Sequence, residues 1–459
     1  MYLKNHRGSE KGMSEIDSYS GSSKESQSDE SISFKEKVTK GRSGFKRKLW
    51  LFWALLGPGI ISSLANNDAG GMISYTMTGA TFGISFFLPL LFLLAPIDYN
   101  MQEMSMRLGA VTKTEYRELL LRHFGSFWHY ASVAALALAN LMYIVTEFIG
   151  MTAGLTLIGL PLLISDLISF AFVCFVMFFM GYWSKERLGI FVGVINIVFI
   201  IVAFMSHPDP TEIGKVFTSW PSISWDLKEN GMLVFILATI GNAIAPFMLY
   251  YNNNTTLDKG LTRKDLRLGR IDIALGSLLQ PIFAAAVMIC GAALVGQVAN
   301  LDESNPAELI TAFIPVTGHL GSILFALGLF NAGWLAAITI SFSSSYTIAG
   351  AFGWKRSQNH KISEAPKFYG LYFGCLLLGA VIILIPGLPL SMIAVFTQIF
   401  AIMLFVPDLI FLVLLTNNRK VMGEHANSRW KRIVGWGIVS LYSAVSVITI
   451  ILTINGTMS

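Results

Sequence analysis

From Leu49 onward the chain is a succession of long apolar runs separated by short polar joints. Eleven runs can be delimited: residues 49–79, 83–107, 127–157, 160–182, 188–206, 231–256, 271–297, 319–352, 367–386, 389–415 and 432–455. About 20 helical residues cross the roughly 30 Å hydrocarbon core of a bilayer. The pattern therefore predicts an all-α polytopic membrane protein with 11 transmembrane helices. The joints alternate in charge. "RLGAVTKTEYRELLLRH", "SKER", "DKGLTRKDLRLGR", "KRSQNHKISEAPK" and "RKVMGEHANSRWKR" are basic, whereas the intervening joints hold only Lys215 and Lys228. Basic loops stay cytoplasmic, so the N-terminus is expected inside and, with an odd number of spans, the C-terminus outside.

Two runs carry residues that an ordinary spanning helix avoids. The first contains "SLANNDAGGMIS" at residues 63–74. An Asp at bilayer depth costs roughly 2.5–3.5 kcal/mol on insertion scales, and each Gly weakens a helix by about 1 kcal/mol relative to Ala. The sixth, "VFILATIGNAIAPFMLYYNNN", places Gly241, Asn242 and Pro246 near its centre. Pro removes a backbone donor and clashes with the preceding turn. Interrupted spans at matching places in two halves point to an inverted 5+5 repeat (LeuT-like) transporter, with broken helices 1 and 6 and its site at the midplane. The repeats would be residues 49–206 and 231–415, with 432–455 appended to complete a transporter domain of residues 49–455. Irregular backbone at that depth needs protein or a water-filled cavity around it. Unwound carbonyls, half-helix ends and the Asp68 carboxylate together make a cation site. Asn66 and Asn67 would offer oxygens to the ion or cap the first half-helix. The carbonyls of Ala65 and Ala245 are candidate backbone ligands.

Composition adds exclusions. The chain is 54% hydrophobic and 13% charged, against about 25% charged residues in soluble domains. Residues 1–48 are rich in Ser, Lys, Glu and Asp, and read as a disordered cytoplasmic tail whose basic end, next to the first run, is a topology signal. The first apolar run follows this tail, so no cleavable signal peptide is expected. The net charge of +5 reflects basic joints and not a nucleic-acid surface. Cys174, Cys290 and Cys375 are far apart within apolar runs and suggest neither disulfides nor a thiolate cluster. No phosphate loop or nucleophile–base constellation is present, so an enzyme is not expected, and no cofactor is implied.

"GPGIISSLANNDAGG" at residues 57–71 resembles the first-span signature of the Nramp divalent-metal transporters, commonly GPxFxAxIxYxDPGN. "EFIG" at 147–150, "GNAIAPFMLY" at 241–250, "TQIFAIMLFVPDLIF" at 397–411 and "NNRKVMG" fall where that family's third, sixth and tenth spans and the following loop would lie. The resemblance covers about residues 49–455. It implies alternating access and uptake of a divalent metal held by an Asp and Asn of the first span, a Met and carbonyls of the sixth, and a Gln of the tenth. Asp68 matches the Asp and Gln398 the Gln. The Asn position is Gly71, the Met position Ala245, and the small residue three before it Asn242. The sixth-span His is Phe247. The third-span Asp is Ile144, although Glu147 remains.

These departures share one chemical direction. A thioether suits softer transition metals. Its loss, the amide oxygen of Asn242 and the small Gly71 and Ala245 suit a partly hydrated Mg²⁺, which keeps several waters among about six oxygens. The chain looks like the Nramp-related magnesium transporter branch, with Mn²⁺ as a second substrate. Phe247 and Ile144 cannot carry protons, so coupling to protons is expected to be weak or absent. The alternatives are a proton-coupled Mn²⁺/Fe²⁺ symporter of the same family and a sodium-coupled amino-acid symporter of the same fold. Asp98 and Glu103 in the second run are placed in a cation-concentrating vestibule, because intramembrane carboxylates default to function. The expected setting is a multi-pass plasma-membrane protein, monomeric, with the metal ion and the lipid bilayer as its partners.

Overall fold

A computed structural model of the chain describes residues 57–179, 182–218, 231–295, 306–356 and 361–455. The polar tail expected at residues 1–48 and the beginning of the first run lie outside the described residues. Within them every regular element is helical. The elements are α1 (Pro58–Ala65), α2 (Ala69–Phe82), α3 (Phe87–Thr112), α4 (Tyr116–Phe124), α5 (Ser126–Thr156), α6 (Leu162–Phe179), α7 (Tyr182–Ile195), α8 (Ile197–Met205) and α9 (Pro210–Lys215). There follow α10 (Met232–Gly241), α11 (Pro246–Asp258), a 3₁₀ turn at Arg263–Asp265, α12 (Leu266–Ala292), α13 (Pro306–Thr311) and α14 (Ile314–Ala351). The last are α15 (Pro366–Ile383), α16 (Leu390–Asn417), α17 (Arg419–Met422), a 3₁₀ turn at Gly423–His425, and α18 (Arg429–Ile454). Among the described residues, seven stretches are long and apolar enough to cross a membrane: α5, the α10–α11 pair, α12 with its leading turn, α14, α15, α16 and α18.

Both interrupted runs are broken where the sequence places polar residues and Pro. α1 ends at Ala65 and α2 begins at Ala69; α10 ends at Gly241 and α11 begins at Pro246. Ala245 is extended (φ −108°, ψ 150°), the conformation a following Pro imposes. The fifth run differs from its expected single helix, because Asn196 separates α7 from α8. Its side-chain oxygen accepts a 2.7 Å hydrogen bond from Asn331 Nδ2 of α14. The second run continues as helix past residue 107 to Thr112, and stops where Lys113 turns left-handed (φ 53°).

α14 packs along α5, and α12 lies against α1, α2 and α3. The start of α1 is fixed by a carboxylate. Gly57, with φ 143°, donates its N–H to Asp272 Oδ1 at 2.8 Å, and Gly59 donates to Oδ2 at 2.7 Å. Asp272 of α12 thus occupies the positive end of the first half-helix. Further along, α2 and α12 cross at Gly79 and Gly291. A Cβ on Gly291 would stand 2.9 Å from the Thr76 Cα, and one on Gly79 would stand 2.8 Å from the Ala292 nitrogen. Small residues let backbones approach this closely in membranes. Gly291→Leu is expected to push α2 from α12 at a cost of roughly 1–3 kcal/mol, read as a lower melting midpoint by size-exclusion chromatography after heating. An unchanged midpoint would show that the two helices can part freely.

Candidate functional site

The two breaks meet each other in the interior. Asn66, the C-cap of the first half-helix, donates from Nδ2 to the carbonyls of Asn242 at 2.6 Å and Ala243 at 3.3 Å. Gln280 of α12 donates to the same two carbonyls, at 3.2 and 3.4 Å. Asn67 Nδ2 donates to the Gln280 carbonyl at 3.2 Å. The acceptors freed by unwinding the sixth span are therefore satisfied by side-chain amides, the condition for irregular backbone at membrane depth. Asn66 acts here as a brace between the two breaks. Asn67 keeps an unpartnered, buried Oδ1.

The start of α2 is held by two carboxylates. Asp68 is its N-cap and accepts from the Gly71 N–H. Glu147 of α5 accepts from the Ala69 N–H at 2.9 Å. Both are at most 1% exposed. The orphan N–H groups and the helix dipole favour negative charge at this place.

Asp68, Asn242, Gly71 and Gln398 come together. A Cβ on Gly71 would stand 2.8 Å from Asp68 Oδ1 and 3.0 Å from Asn242 Oδ1, so only glycine leaves the space between these oxygens open. Gln398 Nε2 of α16 reaches Asp68 Oδ1 at 3.4 Å. Both polar atoms of the Asn242 side chain are buried without a hydrogen-bond partner. Such a group normally costs about 1–3 kcal/mol, which makes it the clearest sign of a place built to receive something polar. Ala65 and Ala245 are buried at the two breaks.

Ile144 and Phe247 are fully buried apolar residues, and the Phe247 ring meets Tyr143 edge-on at 6.3 Å. One expectation needs correction. The thioether is lost from position 245 but not from the break, because Met248 Sδ lies 3.3 Å from the Ala245 nitrogen. Met248 sits one helical turn on, so a search by position alone passes over it. Gln280 was also missed, although a Gln–Pro pair inside an apolar run was visible at residues 280–281.

The second-run carboxylates part company. Glu103 is bound by Arg107 at 3.1 Å, Arg270 at 3.0 Å and Lys431 at 2.9 Å, which tie α3 to α12 and α18. Asp98 lies apart from this cluster, against Gln102 and Ser63. Asp408 of α16 is held by hydroxyls, from Tyr250 at 3.1 Å, Tyr116 at 3.3 Å and Ser132. Among the described residues no three His, Cys, Asp or Glu side chains cluster as a metal centre.

Residues 59–452 match the family described as natural resistance-associated macrophage protein-like, Nramp. The chain is 25% identical over 440 residues to the divalent metal cation transporter MntH of Levilactobacillus brevis, covering 90% of this chain and 91% of that protein. It is 26% identical over 438 residues to the MntH of Staphylococcus saprophyticus, covering 89% and 93%. In structure it is similar to the Eremococcus coleocola manganese transporter crystallised with an aromatic bis-isothiourea compound, with a TM-score of 0.73, 18% identity, and coverage of 90% of this chain and 89% of that one. That likeness is one of fold, and the family match spans most of the chain: this protein belongs to the Nramp family.

Proposed function

We propose that the protein imports divalent metal ions across the plasma membrane by alternating access, with Mg²⁺ as its main substrate and Mn²⁺ as a second. The observation that carries this reading is the unpartnered Asn242 amide beside the Asp68 carboxylate, across the open space over Gly71. Asp68 supplies charge. Asn242 and Gln398 supply oxygens, the latter by turning its amide. The carbonyls of Ala65 and Ala245 complete the set, and Gly71 and Ala245 leave room for retained water. Asn66 and Asn67 help hold the broken segments. This hard, oxygen-rich set suits Mg²⁺. The naming of relatives as divalent metal cation transporters supports the substrate class.

The basic joints support a cytoplasmic N-terminus and an external C-terminus. The repeats are taken as residues 49–206 and 231–415, with 432–455 outside them. Phe247 and Ile144 support transport without protons. The ion would then be driven by its own gradient and by a negative-inside potential, worth about 2.3 kcal/mol per charge per 100 mV. Glu147 holds the Ala69 N–H, a positioning role that needs no proton transfer.

A second reading, a proton-coupled Mn²⁺ symporter, is favoured by the Met248 sulfur at the break. In that case the thioether would swing from the Ala245 nitrogen to the metal.

Three outcomes are expected. Purified protein in proteoliposomes takes up Mg²⁺, Mn²⁺ competes, and Asp68→Ala abolishes uptake; robust Mn²⁺ uptake without Mg²⁺ uptake would sink the magnesium reading. Ala245→Met, by restoring a soft ligand, strengthens Cd²⁺ competition against Mg²⁺ by about tenfold, about 1.4 kcal/mol. Met248→Leu leaves Mn²⁺ uptake within about twofold of wild type, well under 1 kcal/mol. A steep loss there, or metal-driven proton entry that Glu147→Gln removes, would favour the symporter.

A further inference from the structure

Between the Asp68 site and the basic joints, a second group of side chains repeats the same donor chemistry. Asp98 of α3 is fully buried. Gln102 Nε2 donates to Asp98 Oδ1 at 2.6 Å and to Ser63 Oγ at 2.7 Å. Ser63 of α1 donates to Asp98 Oδ2 at 3.3 Å. Asn252 of α11 donates from Nδ2 to Gln102 Oε1 at 2.6 Å. Asp98, Gln102 and Asn252 thus parallel Asp68, Gln398 and Asn242: one carboxylate, one Gln and one Asn, with the Asn drawn from the broken sixth span in both cases.

Two features, taken together, mark this group. First, no cation pairs with Asp98 among the described residues, whereas Glu103, little more than one turn further along α3, holds three. A lone carboxylate at membrane depth is costly. Second, the group is not closed. The Asn252 Oδ1 is buried and unpartnered, and the Ser277 hydroxyl of α12 lies beside the Asp98 carboxylate as a further oxygen of the group. Asn252 is 1% and Ser277 4% exposed. Asp408, by contrast, is enclosed by three hydroxyls.

The position is also informative. Ser63 precedes Asp68 along the first span, on the order of 7 Å at helical rise, and so lies on the N-terminal side of the break. Asn252 follows Asn242 along the sixth span. α1 and α11, the halves that must move if the breaks act as gates, each contribute one residue.

We propose that Asp98, Gln102, Asn252, Ser63 and Ser277 form a second station for a divalent cation, on the route from the Asp68 site toward the basic-joint side. The station rests on the reading of Asp68 as the transport site and adds a place where the released ion pauses. Turning the Gln102 amide would present its oxygen, so the five side chains supply an all-oxygen set that tolerates a hydrated ion.

The test is the anomalous signal of Mn²⁺ in crystals of the full chain, paired with Mn²⁺ flux in proteoliposomes. The expected result is two peaks, one at Asp68 and one at Asp98. Asp98→Asn removes only the second peak and lowers the maximal rate by about tenfold, with KM within about twofold, because loading from outside still uses Asp68. Ser277→Ala, a milder change, weakens the same peak and serves if Asp98→Asn does not stay monodisperse. A peak at Asp68 with none at Asp98 would overturn the second station and leave the transport site standing. No peak at either place would overturn both.

Discussion

In a bilayer, backbone groups released from a helix have no water to turn to, and the whole centre of this protein is arranged around that fact. Breaking the first and sixth spans frees donors and acceptors at both breaks. The amides of Asn66 and Gln280 take the carbonyls of Asn242 and Ala243, while Asp68 and Glu147 take the N–H groups that open α2. The first break thus supplies part of what the sixth lacks, and unbroken helices supply the rest. α12 is the element that makes this workable. It contributes Gln280 to the brace, Asp272 to the start of α1, and Gly291 to the close crossing with α2. A helix with no break of its own is therefore the frame against which the broken ones are held.

The buried carboxylates are disposed by what neutralises them. Glu103 is matched by three cations, Asp272 by backbone N–H groups, and Asp408 by hydroxyls. Such partners fix a carboxylate in place. Asp68 and Asp98 have no cation among the described residues, and near each stands a buried Asn side chain with an unpartnered oxygen, Asn242 and Asn252. On the proposed reading, charge that the protein itself leaves incompletely compensated is what a mobile ion would meet. The distinction is one of partners rather than of burial, since all five side chains are at most 3% exposed.

Much of this was legible in the chain. The apolar period and the breaks at Asn66–Asp68 and Gly241–Pro246 follow from hydropathy and from the chemistry of Gly and Pro, both of which act locally. The resemblances at residues 57–71, 397–411 and 241–250 then pointed to Asp68, Gln398 and Asn242, three side chains that the fold gathers from α2's N-cap, α16 and the end of α10. What stayed hidden depended on partners distant in sequence. Glu103 looked like a free acidic residue because Arg270 and Lys431 lie far along the chain. Met248 was overlooked because a one-turn offset carries its sulfur back to the Ala245 nitrogen. The split at Asn196 comes from a bond to Asn331 that no local pattern announces.

The hydrogen bond from the Gly71 N–H to Asp68 has a kinetic meaning. The oxygen that a metal ion would seek is already engaged by the end of the helix it caps. An arriving cation must share or displace that donor, and the donor stands ready to reclaim the oxygen as the ion departs. The helix terminus is in effect a tethered competitor of fixed, high local concentration. On the proposed reading it would limit how deeply an ion can be trapped at Asp68 and so favour its release.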